Sequence, residues 1–139
     1  MPSAADRGDR WVAPALAVAI ALACAATFYV ASQKHARLVW ANGLAGGDAR
    51  RAPEVMIRYG CAGCHSIAGV PGAAGTVGPP LQGLADRAFI GGAIVNNPSN
   101  LAEWVRRSRD MVPDTAMPNT GATDQEARDM AAYLYALAD

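Results

Sequence analysis

Polar and apolar positions divide this chain into three parts. Residues 11–32, W-V-A-P-A-L-A-V-A-I-A-L-A-C-A-A-T-F-Y-V-A-S, carry no charge over 22 positions. About 20 apolar residues in a helix cross the hydrocarbon core of a bilayer. A buried helix of a water-soluble domain would show a polar stripe over such a length, and none is present. Trp11 and Tyr29 fall near the two ends, where aromatic rings favour the interface, and Lys34 and Arg37 follow just outside. The pattern predicts an uncleaved transmembrane anchor. Two other readings compete with it. One is a cleaved signal with an A-x-A-like site near Ala23 or Ala25; the other is a lipoprotein signal ending at Cys24, where Ala21 occupies the usual Leu position. The run is longer than an ordinary signal core, which favours the anchor. Ala17, Ala21 and Ala25 recur every fourth position, which would let another helix pack closely.

Residues 33–51 are polar and mixed, loosening into N-G-L-A-G-G at 42–47. They are expected to form a juxtamembrane linker with a flexible, Gly-rich tether. Residues 52–139 then read as one small helical domain. Residues 53–59 open with a proline suited to a first helical turn. Asn97-Pro98 supplies an N-cap and a proline at the next position for a helix through about residue 107. Thr123-Asp-Gln-Glu126 is a capping box, followed by Ala127, Met130, Ala131, Leu134 and Leu137 on one helical face. Gly/Pro-rich loops lie between, over 69–80 and 112–121, and no period-2 pattern argues for a strand. The expected fold class is all-α: a single N-terminal transmembrane helix, then a loop-rich helical domain.

Composition narrows the function. Twelve basic residues balance 12 acidic ones in 139 residues, so the chain has no basic stripe for a nucleic-acid backbone. Three Cys are too few for a disulfide scaffold. Cys24, inside the apolar run, reads as an inert small residue, whereas Cys61 and Cys64 form a close pair.

That pair belongs to Cys61-Ala-Gly-Cys64-His65, and C-x-x-C-H reads as covalent attachment of a c-type haem. Two thiols one helical turn apart reach the two porphyrin vinyl groups, and His65 follows at once as proximal iron ligand. A thioredoxin-like redox pair would need a βαβ context, and a structural zinc four ligands. His65 is the sole His of the domain, so the candidates for a second axial ligand are Met56, Met111, Met117 and Met130, the alternative being a vacant site. Met56 and Met130 lie on expected helix faces, where core packing is the default. Met117 lies in V-P-D-T-A-M-P, a proline-bounded loop that would present its soft thioether to the iron.

From about residue 53 to the C-terminus the chain resembles a class I, one-haem cytochrome c. Gly78-Pro79-Pro80-Leu81 matches that family's G-P-x-L, and Thr115 with Met117 matches P-x-T-x-M. The resemblance implies that the Pro79 carbonyl accepts from the His65 ring and that Leu81 lines the pocket. It also implies that Arg87, Trp104 and Thr115 sit by the haem propionates. Tyr133-Leu134 matches the C-terminal pair that packs across the N-terminal helix. The order N-x-P-x-N-L-x-x-W-V-R…P-x-T-x-M-P is similar to cytochrome c domains associated with bacterial haem–copper oxidases, and to membrane-bound cytochromes serving them.

The resemblance implies a periplasmic one-electron carrier of a bacterial respiratory chain, not an enzyme. One haem c would be attached through Cys61 and Cys64, with His65 and Met117 on the iron. Residues 1–10 would be cytoplasmic, 11–32 would span the inner membrane once, 33–51 would link, and 52–139 would be the cytochrome domain in the periplasm. The expected partners are the lipid bilayer and membrane respiratory complexes, a quinol:cytochrome c oxidoreductase and/or a haem–copper oxidase, with no nucleic acid and no small-molecule substrate. The alternatives are a fixed subunit of such a complex, or an open-site haem enzyme or gas-binding protein. One departure concerns docking. Residues 48–139 contain no Lys, and eight Arg face ten acidic side chains. An apolar docking patch of Ile67, Val70, Pro71 and Ala116 is therefore expected, with Arg106, Arg107 and Arg109 as the competing contact.

Overall fold

The computed structural model describes residues 4–137. The side chains of residues 4–10, which precede the apolar run and include Arg7 and Arg10, fall outside the description. The chain forms two compact units, Met1–Ala36 and Arg37–Asp139.

The first unit is helical throughout its described length and lies within α1 (Ala4–Ala45). Side chains 11–36 are all exposed. Trp11–Ala45 is long and apolar enough to cross a membrane. Its hydroxyls are satisfied within the helix: Thr27 Oγ1 donates to the Cys24 carbonyl at 2.9 Å and Ser32 Oγ to the Tyr29 carbonyl at 2.7 Å. That arrangement suits a segment without water to bond to.

The second unit takes in the end of α1, a 3₁₀ turn at Ala49–Arg51, α2 (Ala52–Arg58) and the single turn α3 (Cys61–Cys64). A second 3₁₀ turn at Leu84–Asp86 precedes a minimal antiparallel hairpin, β1 (Phe89–Ile90) and β2 (Ile94–Val95), paired Phe89 with Val95 and Ile90 with Ile94. Then come α4 (Pro98–Met111) and α5 (Asp124–Ala136). The hairpin is the one regular β element among the described residues, and its two-residue strands are too short to show alternation in sequence.

Sequence capping explains the helix starts. Asn97 accepts from the Asn100 N–H at 2.8 Å and opens α4 with Pro98 in its first turn. Thr123 and Glu126 close a reciprocal capping box on α5. Ala127, Met130, Ala131 and Leu134 are buried, as the helical spacing predicts. Helix α5 is the hub, packing on α4, α2 and the turn at Ala49–Arg51.

The tether expected at 42–47 is the clearest departure. Helix α1 runs on to Ala45, with Ala41 and Ala45 buried in the domain core. Trp40 packs on Tyr135 of α5, ring centroids 6.4 Å apart. Gly46 turns the chain with φ +66°, and Gly47 lies so close to α5 that a Cβ there would overlap the Arg128 carbonyl. The glycines thus serve close packing, not flexibility. Asp129, 2 % exposed, secures the segment from below. Its carboxylate accepts from the Asp48 N–H at 2.7 Å, from Arg51 at 2.9 Å and from the Gln125 amide at 2.9 Å.

Two tests follow from this packing. Replacing Asp129 with Ala strands the Asp48 N–H, and the domain should lose about 2–3 kcal/mol in denaturant titration. The second concerns acid. Hydrogen bonds from Thr123, side chain first and then backbone, and from Tyr59, with Arg58 nearby, hold Glu126 down to about 2 from its ordinary 4.5. A carboxylate depressed in the folded state contributes stability above its unfolded value, and that contribution fades as pH falls toward the folded value. Acid titration followed by circular dichroism should show stability declining from about pH 4.5 toward 2, and less steeply in Glu126→Gln.

Candidate haem-binding site

The C-x-x-C-H segment follows a left-handed Gly60 (φ +73°), which ends the approach from α2 and starts the turn α3. Cys61 and Cys64 stand at either end of that turn, Cys61 half-buried and Cys64 exposed. Burial pushes the Cys61 thiol above its ordinary range. His65 leaves the helix in extended conformation. The next strand of chain is laid beside it by two backbone bonds, Gly78 N–H to the Cys64 carbonyl at 2.8 Å and Leu81 N–H to the Ser66 carbonyl at 2.9 Å.

This places the Pro79 carbonyl 2.7 Å from His65 Nδ1. A carbonyl only accepts, so Nδ1 carries the proton and Nε2 keeps its lone pair for a metal. A side chain at Gly78 would overlap the imidazole, so glycine is required for the ring to lie where it does.

His65 opens into a cleft with about 1160 Å³ of empty space, counted to its solvent mouth. The cleft gathers all nine residues singled out in the sequence: Cys61, Cys64, His65, Pro79, Leu81, Arg87, Trp104, Thr115 and Met117. Met56 and Met130 also line it, each 1 % exposed and held in a helix of the core, whereas Met111 is not part of the wall. Arg87 is fixed by its own loop: Nη2 donates to the Pro80 carbonyl and, at 3.0 Å, to the Gln82 carbonyl. That loop is in turn braced by Asn96. Its amide donates to the carbonyls of Leu84 (2.7 Å) and Arg87 (2.8 Å), and its Oδ1 accepts from Tyr135 at 2.8 Å.

Sequence reasoning missed the rest of the wall. Val77, Phe89, Ile90 and Gly91 line the cleft from a loop and from strands of two residues, which leave no periodic signal. Half of the expected docking patch is corrected: Pro71 and Ala116 are exposed, but the other two members are not. Ile67 and Val70 are core residues, 2 % and 6 % exposed. The loop folds back on itself, with the Ile67 N–H on the Ala73 carbonyl, and Tyr133 Oη donates to the Ala68 carbonyl at 2.7 Å. The apolar rim of the cleft is formed by Val77 and Phe89 together with Ala116 of the expected patch, all exposed. Of the competing Arg cluster, Arg106 pairs with Glu103 and Asp124, and Arg107 with Glu103.

The donor set fits a haem. An imidazole with a free Nε2, two thiols one helical turn apart, a thioether and an apolar wall are what covalent attachment and six-coordinate iron require.

Comparison with known proteins agrees. The cytochrome c family matches residues 49–138. Cytochrome c oxidase subunit 2 of Alkalihalophilus pseudofirmus is 32 % identical over 92 residues, 64 % of this chain and 25 % of that protein. The chain therefore spans about a quarter of that relative's length. No solved structure is a significant match. Because the family match takes in more than half of the chain, from the turn before α2 through α5, the protein belongs to the cytochrome c family, the electron-transfer proteins built on covalent haem c.

Proposed function

We propose that the protein is a membrane-anchored, periplasmic one-electron carrier of a bacterial respiratory chain, passing electrons to or from a membrane complex such as a terminal oxidase. The observation that carries this reading is the convergence of Cys61, Cys64, His65 and Met117 on one apolar cleft, in a chain that also has an N-terminal helix long enough to span a bilayer. Residues 11–32 would be the span of the inner membrane, with residues 1–10 on the cytoplasmic side, because haem attachment in this family takes place outside the cytoplasm.

When bound, the haem iron supplies a one-electron couple. Cys61 and Cys64 would hold the macrocycle by thioethers, and His65 Nε2 and the Met117 thioether would hold the iron. A thioether is a soft, neutral ligand that favours the reduced iron and raises the potential into the range of respiratory carriers. With the iron held by two protein ligands, the site would pass electrons without binding a substrate. Pro79 fixes the tautomer and orientation of His65. Leu81 and the helical core residues would keep water from the metal. Arg87, Trp104 and Thr115 would meet the polar edge of the ring, where a guanidinium and hydrogen-bond donors offset carboxylate charge.

A second reading, a fixed subunit of a larger complex, is favoured by the similarity to an oxidase subunit. Purification from native membranes separates the two. A free carrier elutes in detergent as a small haem protein, whereas a fixed subunit comes with large hydrophobic partners.

Two measurements test the site. Denatured protein should retain its haem through gel electrophoresis and acidic organic extraction, and a Cys61→Ser, Cys64→Ser double variant should release it. The ferric protein should show the weak near-infrared band of methionine sulphur on haem iron. Met117→Ala should abolish that band and lower the potential, while Met111→Ala leaves both in place.

A further inference from the structure

Helix α4 is broken at Arg107 (φ −142°, ψ 52°), one turn before it ends at Met111. Sharp breaks arise at proline, glycine or where other groups enter the helical ladder; α4 has no proline past its first turn and no glycine. Residues 117–121 are the groups that enter. The Thr120 hydroxyl donates to the Val105 carbonyl at 2.7 Å, and the Gly121 N–H to the Arg106 carbonyl at 3.3 Å. The Arg109 N–H donates to Asn119 Oδ1 at 2.8 Å. At the centre stands Ser108, fully buried at 0 % exposure. Its Oγ lies 2.8 Å from the Met117 carbonyl and 3.0 Å from the Pro118 carbonyl. A hydroxyl has one proton, so Ser108 shares it between the two. On its other side Met117 is held weakly, its N–H reaching Thr115 Oγ1 only at 3.4 Å.

We propose that Ser108 is a positioning residue for the Met117 sulphur, clamping the backbone of Met117 and Pro118 to the broken end of α4 and thereby setting how readily the thioether leaves the iron. The inference rests on Met117 being the distal ligand. The thioether hangs from its backbone by a flexible chain, so any freedom gained by that backbone must be given up again each time the sulphur binds. Removing the hydroxyl leaves two inward-facing carbonyls without their donor and frees the ligand loop at the point where it meets the metal. Thr120 makes an equally short bond from the same segment to the same helix break, but to Val105, and carries no part of Met117. The two hydroxyls therefore separate ligand positioning from general cohesion of the loop.

The test is an imidazole titration of the full-length ferric holoprotein in detergent, read by loss of the sulphur–iron band as imidazole displaces the thioether. Ser108→Ala should bind imidazole about three- to tenfold more tightly, the effect of one lost hydrogen bond. Ser108→Thr, which keeps the hydroxyl, and Thr120→Val should both stay within about twofold of the parent. Circular dichroism and covalent haem content confirm that each variant is folded and loaded. An unchanged affinity in Ser108→Ala overturns the inference, and so does a Thr120→Val variant that loosens the ligand equally. A parent protein that lacks the band removes the Met117 assignment itself, a result seen before any variant is made.

Discussion

Met56, Leu101, Met130 and Leu134 are among the most buried side chains of the domain, and the same four line the cleft that holds His65 and Met117. Core and cleft share a wall. In a domain of this size a single core is marginal by itself, and the common way out is a staple. Here the wall faces a site with two thiols placed for covalent attachment, so the group that carries the chemistry is also the one that completes the core. The cost of cutting that attachment should then appear in folding as much as in redox behaviour.

The loops around the cleft lack regular ladders, and three buried or half-buried polar side chains stand in for them. Asn96 braces the loop of Arg87, Ser108 the loop of Met117, and Asp129 the end of α1 and the turn after it. Each bonds to backbone groups that no helix or strand satisfies, which is how an irregular segment avoids leaving orphan donors and acceptors inside a protein. The loops are thereby rigid where the site needs them to be. An axial ligand drawn from a proline-bounded loop, the role proposed for Met117, would depend on this bracing more than one projecting from a helix.

Electrostatics set the manner of encounter. The domain has no Lys, its Arg are largely paired, and the exposed rim of the cleft is Val77, Phe89 and Ala116. Long-range steering by a charged face has little to work with here. In the proposed membrane-anchored carrier, confinement to a surface would raise the effective concentration of partners in place of such steering. The short-range contact would then fall to apolar groups, whose attraction salt barely screens.

The cofactor chemistry was legible in the chain because it is local: C-x-x-C-H places two thiols and an imidazole within one turn, and no tertiary contact is needed to bring them together. The anchor and the starts of α4 and α5 were legible for the same reason, since apolar length and capping residues act within a few positions of themselves. What sequence could not reveal depended on partners distant in the chain. The glycines at 46 and 47 read as a flexible tether, yet Gly47 is there because the backbone of α5 passes too close for a side chain. Ile67 and Val70 read as a surface patch, yet a turn with Tyr133 above it sends both into the core. Ser108 carries no signal of its own in the sequence, and its place under the Met117 carbonyl arises only when residues 117–121 fold back along a broken α4. Spacing along the chain decided which groups are present; close approach across the fold decided how freely each of them moves.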